Sequence, residues 1–209
     1  GMRALSASFW ASGKTSVIWQ FTQSVGDGYR VAVVDGADKD AAALLRQILG
    51  QFGFGGGFDT ASERFAMIRV FAMQQTASGK APLLIIENAH AMNPVVLEML
   101  CEFAELRVNG KSALRIVLAS HKPLSTILEA PTMEPVSMRV TGKFLLQPFT
   151  REETGTYVHR KLMHGGCKNP QYLVPHAVCD RMHQSSGGWP GMIDRLAMTA
   201  MANAEKFPL

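Results

Sequence analysis

Three observations predict an α/β fold with a parallel sheet over most of the chain and helices alone at its C-terminal end. Apolar runs of strand length alternate with stretches of helical periodicity as far as Leu146 and then stop. Ser8 to Thr15, SFWASGKT, comes within one position of the phosphate-binding pattern G-x-x-x-x-G-K-(S/T), where a first strand would turn into a first helix. Leu83 to Asn88, LLIIEN, is four apolar residues closed by an acid, the form in which a buried parallel strand carries a carboxylate to its C-terminal edge.

The elements follow in order. Arg3 to Ala7 reads as a short strand and Thr15 to Ser24 as the helix after the loop. Arg30 to Asp35 (RVAVVD) is strand-like, and Lys39 to Phe52 carries Leu44, Leu45, Ile48 and Leu49 at helical spacing. The glycines from Gly53 to Gly57 end that helix as a flexible connector. Thr60 and Glu63 have capping-box spacing and open a helix to about Gln75. Asn93 and Pro94 look like the cap and first turn of a helix over Val95 to Arg107. Leu114 to Ser120 is another buried strand and Lys143 to Leu146 a further short one. Thr150 and Glu153 repeat the capping-box spacing, with helices expected near 151–164, 174–185 and 190–205. A core of 1–149 and a helical subdomain of 150–209 are therefore expected.

Composition sets the class. The 209 residues, 47% hydrophobic and 18% charged, suffice for one nucleotide-binding unit with a small appendage. A net charge of +4 is mildly basic, but no lysine and arginine block stands out, so a solvated surface accounts for it as well as nucleic acid does. Three cysteines with no C-x-x-C pair point to a reducing, cytoplasmic compartment. No apolar run reaches membrane-spanning length, so no membrane contact is expected within this chain. Gly1 ahead of Met2 reads as a tag remnant and is set aside.

The chemistry resides at the loop and at the ends of the strands. In such a loop, successive backbone N–H groups curl around a phosphate at a helix N-terminus, a lysine adds charge and a hydroxyl binds magnesium. Ser12, Gly13, Lys14, Thr15 and Ser16 are the candidate nucleotide-binding residues, with Thr15 and Glu87 for magnesium. The usual strand ending is Asp-Glu, in which the Asp orients the metal and the Glu polarises the attacking water. Here Glu87 stands first, and Asn88, in the second place, cannot take a proton.

Together these pieces resemble a known family over nearly the whole chain. The loop, LLIIEN-AHAM, IVLASHKPL at 116–124, SMRVTGKFLLQPFTREET at 137–154 and SSGGWPGMIDRLA at 185–197 resemble the AAA+ P-loop ATPases of the general secretion pathway protein A (ExeA/GspA) type. DamX-related ATPases and the transposition helpers related to TniB and MuB are similar cousins. The resemblance implies a five-stranded parallel sheet in the order 5-1-4-3-2 followed by a helical lid, ATP or ADP with Mg2+ as ligand, and self-association or a partner protein. It implies Lys14 at the phosphates and Thr15 at magnesium. His121 falls where relatives place a polar sensor, although a strand-end cap explains it equally. Arg139 falls where the family supplies an arginine to a neighbouring subunit's nucleotide, and should then be exposed in the monomer. The lid pattern G-x-P-R reads Gly188-Trp189-Pro190-Gly191, which loses the sensor arginine, with Arg195 one turn on as a speculative substitute. Relatives also carry a segment ahead of the first strand that helps wall the adenine.

Ser8, Asn88 and Gly191 are thus three departures, all touching nucleotide chemistry. They favour binding over fast turnover, and Asn88→Glu is expected to raise the rate. The function expected is a regulatory or assembly ATPase linked to secretion, pilus or cell-envelope machinery. The alternatives are an ATP-dependent DNA-binding transposition helper and a degenerate scaffold. His164 with Cys167, and His176 with Cys179 and nearby His183, have zinc-like spacing, but a helical lid explains the region better. Met192, Met198 and Met201 read as core packing.

Overall fold

A computed structural model of the chain describes residues 2–7, 12–26, 29–122 and 124–206. β1 (Met2–Ala7) is followed by α1 (Lys14–Ser24), and β2 (Val31–Asp35) by α2 (Ala41–Gln51) and α3 (Ala61–Ala77). β3 (Leu83–Glu87) leads to α4 (Pro94–Glu105), and a small antiparallel hairpin, β4 (Arg107–Val108) with β5 (Lys111–Ser112), precedes β6 (Arg115–Ser120). α5 (Ser125–Leu128) and α6 (Glu134–Arg139) come before β7 (Val140–Leu146). The five-stranded sheet has the order β2-β3-β6-β1-β7, and the β1–β6, β2–β3 and β3–β6 pairings are parallel. Counting sheet strands alone, that is 5-1-4-3-2 read from the β7 edge, the order the resemblance implies.

The sequence sets these boundaries by capping. Asp40 accepts a hydrogen bond from Ala43 N at 2.7 Å to start α2, and Thr60 with Glu63 forms the expected capping box of α3. Asn93 Oδ1 accepts from Val95 N at 2.9 Å, with Pro94 in the first turn of α4.

The strands alternate between two apolar faces. Ala32, Val34, Leu84, Ile86, Ile116 and Leu118 enter the main core with Leu44, Leu45, Ile48 and Ile68, whereas Leu83, Ile85 and Ala119 turn to the other face with Ile18 of α1. Each such Leu or Ile stabilises the fold by about 1.5–3 kcal/mol when fully buried. The hairpin, α5 and α6 went unforeseen because elements of two to six residues carry no measurable periodicity.

The chain forms two compact units. One comprises β1 and Ser16–Leu145; the other comprises Leu146 onward together with Ser12–Thr15 of the loop. In the second, α7 (Arg151–His164), α8 (Pro170–Leu173), α9 (His176–Ser186) and α10 (Pro190–Lys206) pack around Val158, Cys179 and Ile193. The methionine expectation fails in part. Met198 and Met201 are 70% and 63% exposed. α10 is anchored through Ile193, and five residues further on a helical side chain has turned about 140° away.

Candidate functional site

The loop residues Ser12–Thr15 belong to the second unit. Gly13 has φ +83°, a left-handed conformation that favours glycine, and a Cβ there would meet Pro190 Cβ and Cγ at 3.6 Å. Ser12 is buried and its Oγ accepts a hydrogen bond from Lys14 Nζ at 3.0 Å. α1 starts at Lys14, so the N–H groups of its first turn have no intrahelical acceptor, and Thr15 and Ser16 are exposed there. Cation, hydroxyl and helix terminus therefore come together at one turn. Ser8, the departure at the first loop position, lies outside the described residues.

Gly188-Trp189-Pro190 lies beside that turn within the same unit. Gly188 has φ +76°, and a Cβ there would lie 2.3 Å from Phe149 O, so only glycine fits this corner. Gly188 O also accepts a hydrogen bond from Phe149 N at 2.9 Å. Gly191 follows Pro190 in α10, and Arg195 is exposed on the same helix.

The ends of β2, β3 and β6 belong to the first unit. Glu87 ends β3 in register with Asp35, the last residue of β2. Asn88 follows in the left-handed region (φ 54°, ψ 33°) and opens a 3-10 turn over Ala89–Ala91. Its Nδ2 donates to Asp35 Oδ1 at 2.9 Å. Asp35 Oδ1 also accepts from Ala37 N at 3.1 Å, and Lys39 Nζ is 3.7 Å from Oδ2. The Asn88 hydrogen bond, followed by that of Ala37, holds the Asp35 carboxyl below its ordinary pKa. His121, just past β6, sits in a turn closed by Ser120 Oγ and Lys122, and its ring meets that of His90 edge-on at 3.9 Å. Asp35 and His90 were not among the predicted site residues. A strand-final Asp was visible in RVAVVD, but nothing local signalled its partner 53 residues away.

Two expectations need correction. Arg139, expected exposed and uncommitted, is bonded within its own unit: Nε donates to Glu105 Oε1 at 2.7 Å, Nη1 to Pro135 O at 2.7 Å, and Nη2 is also paired with Glu105. α6 ends beside α4 and places the guanidinium against that helix's last carboxylate, so the intersubunit role loses its support. Asn88→Glu no longer restores a carboxylate cleanly. It would set like charge against Asp35 and place Glu in a left-handed conformation that Asn tolerates better.

In the second unit, Cys179 and His183 of the zinc-like pattern have other partners. His159 Nε2 lies 2.8 Å from Val174 O and 3.6 Å from Cys179 Sγ, and His183 Nδ1 lies 3.0 Å from Thr154 Oγ1. Among the described residues, no three His, Cys, Asp or Glu side chains gather to hold a metal, and no helix is long and apolar enough to cross a membrane.

A parallel α/β sheet in this order, with a lysine loop after its first strand, defines an ATPase-like domain. The AAA domain family matches residues 11–128, more than half of the chain, and the chain belongs to that family. It is 26% identical over 194 residues to general secretion pathway protein A of Aeromonas hydrophila, covering 92% of this chain and 35% of that protein. The chain thus spans about a third of that relative's length. Among solved structures, the Aeropyrum pernix ORC2 protein in its ADPNP-ADP complexes is similar, with TM-score 0.72 and 16% identity, over 98% of this chain and 57% of that one. Cdc6p of Pyrobaculum aerophilum is similar with TM-score 0.73 and 13% identity, over 98% and 56%. These structures bear on the fold alone. The family match and the secretion-pathway relative agree with the AAA+ resemblance read from the motifs.

Proposed function

We propose that this chain is an ATP-binding AAA+ domain that binds ATP or ADP with Mg2+ at Ser12–Ser16 and hydrolyses ATP slowly. The observation that carries the reading is Gly13 in its left-handed turn, with Lys14 held beside buried Ser12 at the start of α1. That turn fits a phosphate: it offers N–H donors, a helix terminus and one ammonium group, with no carboxylate among Ser12–Ser16 to repel the anion. Bound nucleotide would supply the phosphate chain and its metal. Lys14 would contact the phosphates, and the Thr15 hydroxyl and Glu87 would serve magnesium. Because Asn88 cannot act as a base, slow turnover follows.

Similarity to a secretion-pathway protein supports a regulatory or assembly role in secretion, pilus or cell-envelope machinery, exercised with a partner protein or by self-association. Lys14→Ala is expected to weaken Mg-ATP binding by about 100-fold or more, since a charge-assisted contact to phosphate is lost. Titration calorimetry checks this, and equal affinities for wild type and Lys14→Ala would remove the reading.

A further inference from the structure

The two faces of the sheet are covered unequally. On one, the core draws buried residues from α2, α3, α4 and α6; on the other, among the described residues, Ile18 of α1 is the buried helical side chain. Leu5, Val31, Val33 and Val117 are only part-buried on that second face. Side chains alternate along a strand, so Arg3, two residues before Leu5, and Arg115, two before Val117, project to the same side. There, where β1, β3 and β6 begin and α1 ends, a groove of about 540 Å3 lies wholly within the first unit. Phe21, Val25, Leu83 and Val117 form its apolar walls, and Arg3 and Arg115 supply its charge. None of its residues belongs to the nucleotide site proposed above.

Both guanidiniums are held by aromatic rings rather than by acids. Arg115 Nη1 donates to Tyr29 Oη at 3.0 Å with Cζ 5.2 Å from that ring's centre, and Arg3 Cζ lies 5.9 Å from the centre of the Phe144 ring. Among the described residues, no carboxylate lines the groove or pairs with either arginine. The bordering hydroxyls of Ser24, Ser112 and Thr141 donate to backbone carbonyls. Two positive charges therefore stand oriented but not neutralised at one end of an apolar trough. The apolar surface also runs on beyond the cavity. Val17, one turn before Phe21 on α1, is 47% exposed and Phe21 46%, and the eight residues from Val17 to Val25 rise about 12 Å. We propose that this groove docks a segment of a partner protein, apolar along the α1 stripe and acidic at the end that meets Arg3 and Arg115. The length of the stripe suits an elongated segment better than a small molecule. A nucleic-acid strand would draw on many phosphate contacts and gain little from aliphatic walls, whereas a peptide uses both the walls and the two cations.

Random peptides of about 12 residues displayed on phage, long enough as a helix to cover the stripe, are the probe. Selection on the wild type, with counter-selection on the double variant Arg3→Gln, Arg115→Gln, should enrich peptides with Asp or Glu at one end of an apolar stretch. The most enriched peptide, carrying fluorescein, should bind the double variant about 10-fold or more weakly by fluorescence anisotropy. Phe21→Ser keeps both charges and should weaken binding by a similar factor. The three side chains are exposed, so the variants should keep the wild-type circular dichroism and melting temperature. Lys14→Ala should bind the peptide as the wild type does, and the arginine double variant should bind Mg-ATP as the wild type does. Those two controls separate the groove from the nucleotide site, so that either reading can fail alone. Four outcomes overturn the proposal: no peptide surviving counter-selection, enriched peptides without acidic residues, peptide binding that is lost in Lys14→Ala, or a single-stranded oligonucleotide that displaces the peptide from the groove. The last would make this a nucleic-acid surface instead.

Discussion

Around Gly13 and Gly188 the geometry is set by the backbone, whereas around Asp35 and Asn88 it is set by side chains that meet across 53 residues of sequence. In the first region two glycines occupy left-handed conformations, and at Gly188 no side chain fits. In the second, Asp35 and Asn88 are ordinary polar residues whose roles exist only in the contact between them. A backbone-built site leaves a record in residue type, because few residues tolerate positive φ or a carbonyl 2.3 Å from Cβ. A side-chain-built site leaves almost none, because many residues can stand at a strand end.

The largest test strikes at the backbone-built region. Gly188→Ala would drive a methyl group into Phe149 O and force φ +76° on an L-residue. The expected cost is about 3 kcal/mol or more, from overpacking against backbone that cannot rotate away. Hydrogen exchange of α7 and α9 amides should report the loss within the second unit. An unchanged exchange rate would mean that the corner yields easily and that the contrast between the regions is false.

The same contrast explains what the sequence disclosed. The strand LLIIEN and both capping boxes were legible, since each depends on local residue type or burial pattern, while the sheet order came through the family resemblance. Asp35, the His90–His121 contact and the Glu105 partner of Arg139 were not legible, since each joins residues that fold alone brings together. Arg139 shows the hazard most plainly. Its place just before the last strand suggested an outward role, but α6, too short to detect, turns the side chain back onto α4. A smaller test follows. Arg139→Ala should cost about 0.5 kcal/mol, because Glu105 is more than half exposed and solvent screens the pair. In a chain of this size that is about 1–2 °C of melting temperature by calorimetry. A loss several times larger would make this pair a structural tie rather than a surface contact.

The smallest effect concerns whether side-chain ties matter in the second unit as well. Arg151 on α7 pairs with Asp180 on α9 through two nitrogens, and this bond is the leading cause holding the Asp180 carboxyl below its ordinary pKa. His176 and His183 add weaker positive charge in the same sense. A carboxylate whose folded pKa is depressed binds fewer protons in the native than in the unfolded state as pH falls through the carboxylate range. Its contribution is therefore present above the unfolded pKa and is lost as the medium acidifies towards and below the folded one. Asp180→Asn removes that proton linkage. The two proteins should differ in urea midpoint near neutrality, wild type being the more stable, and the gap should shrink as pH falls through the carboxylate range. Because Arg151 is 68% exposed, solvent screens the pair, so the neutral-pH gap should be small and should shrink further in high salt. A gap that instead widens on acidification would mean that Asp180 is stabilised as its protonated form, contrary to its bond with Arg151.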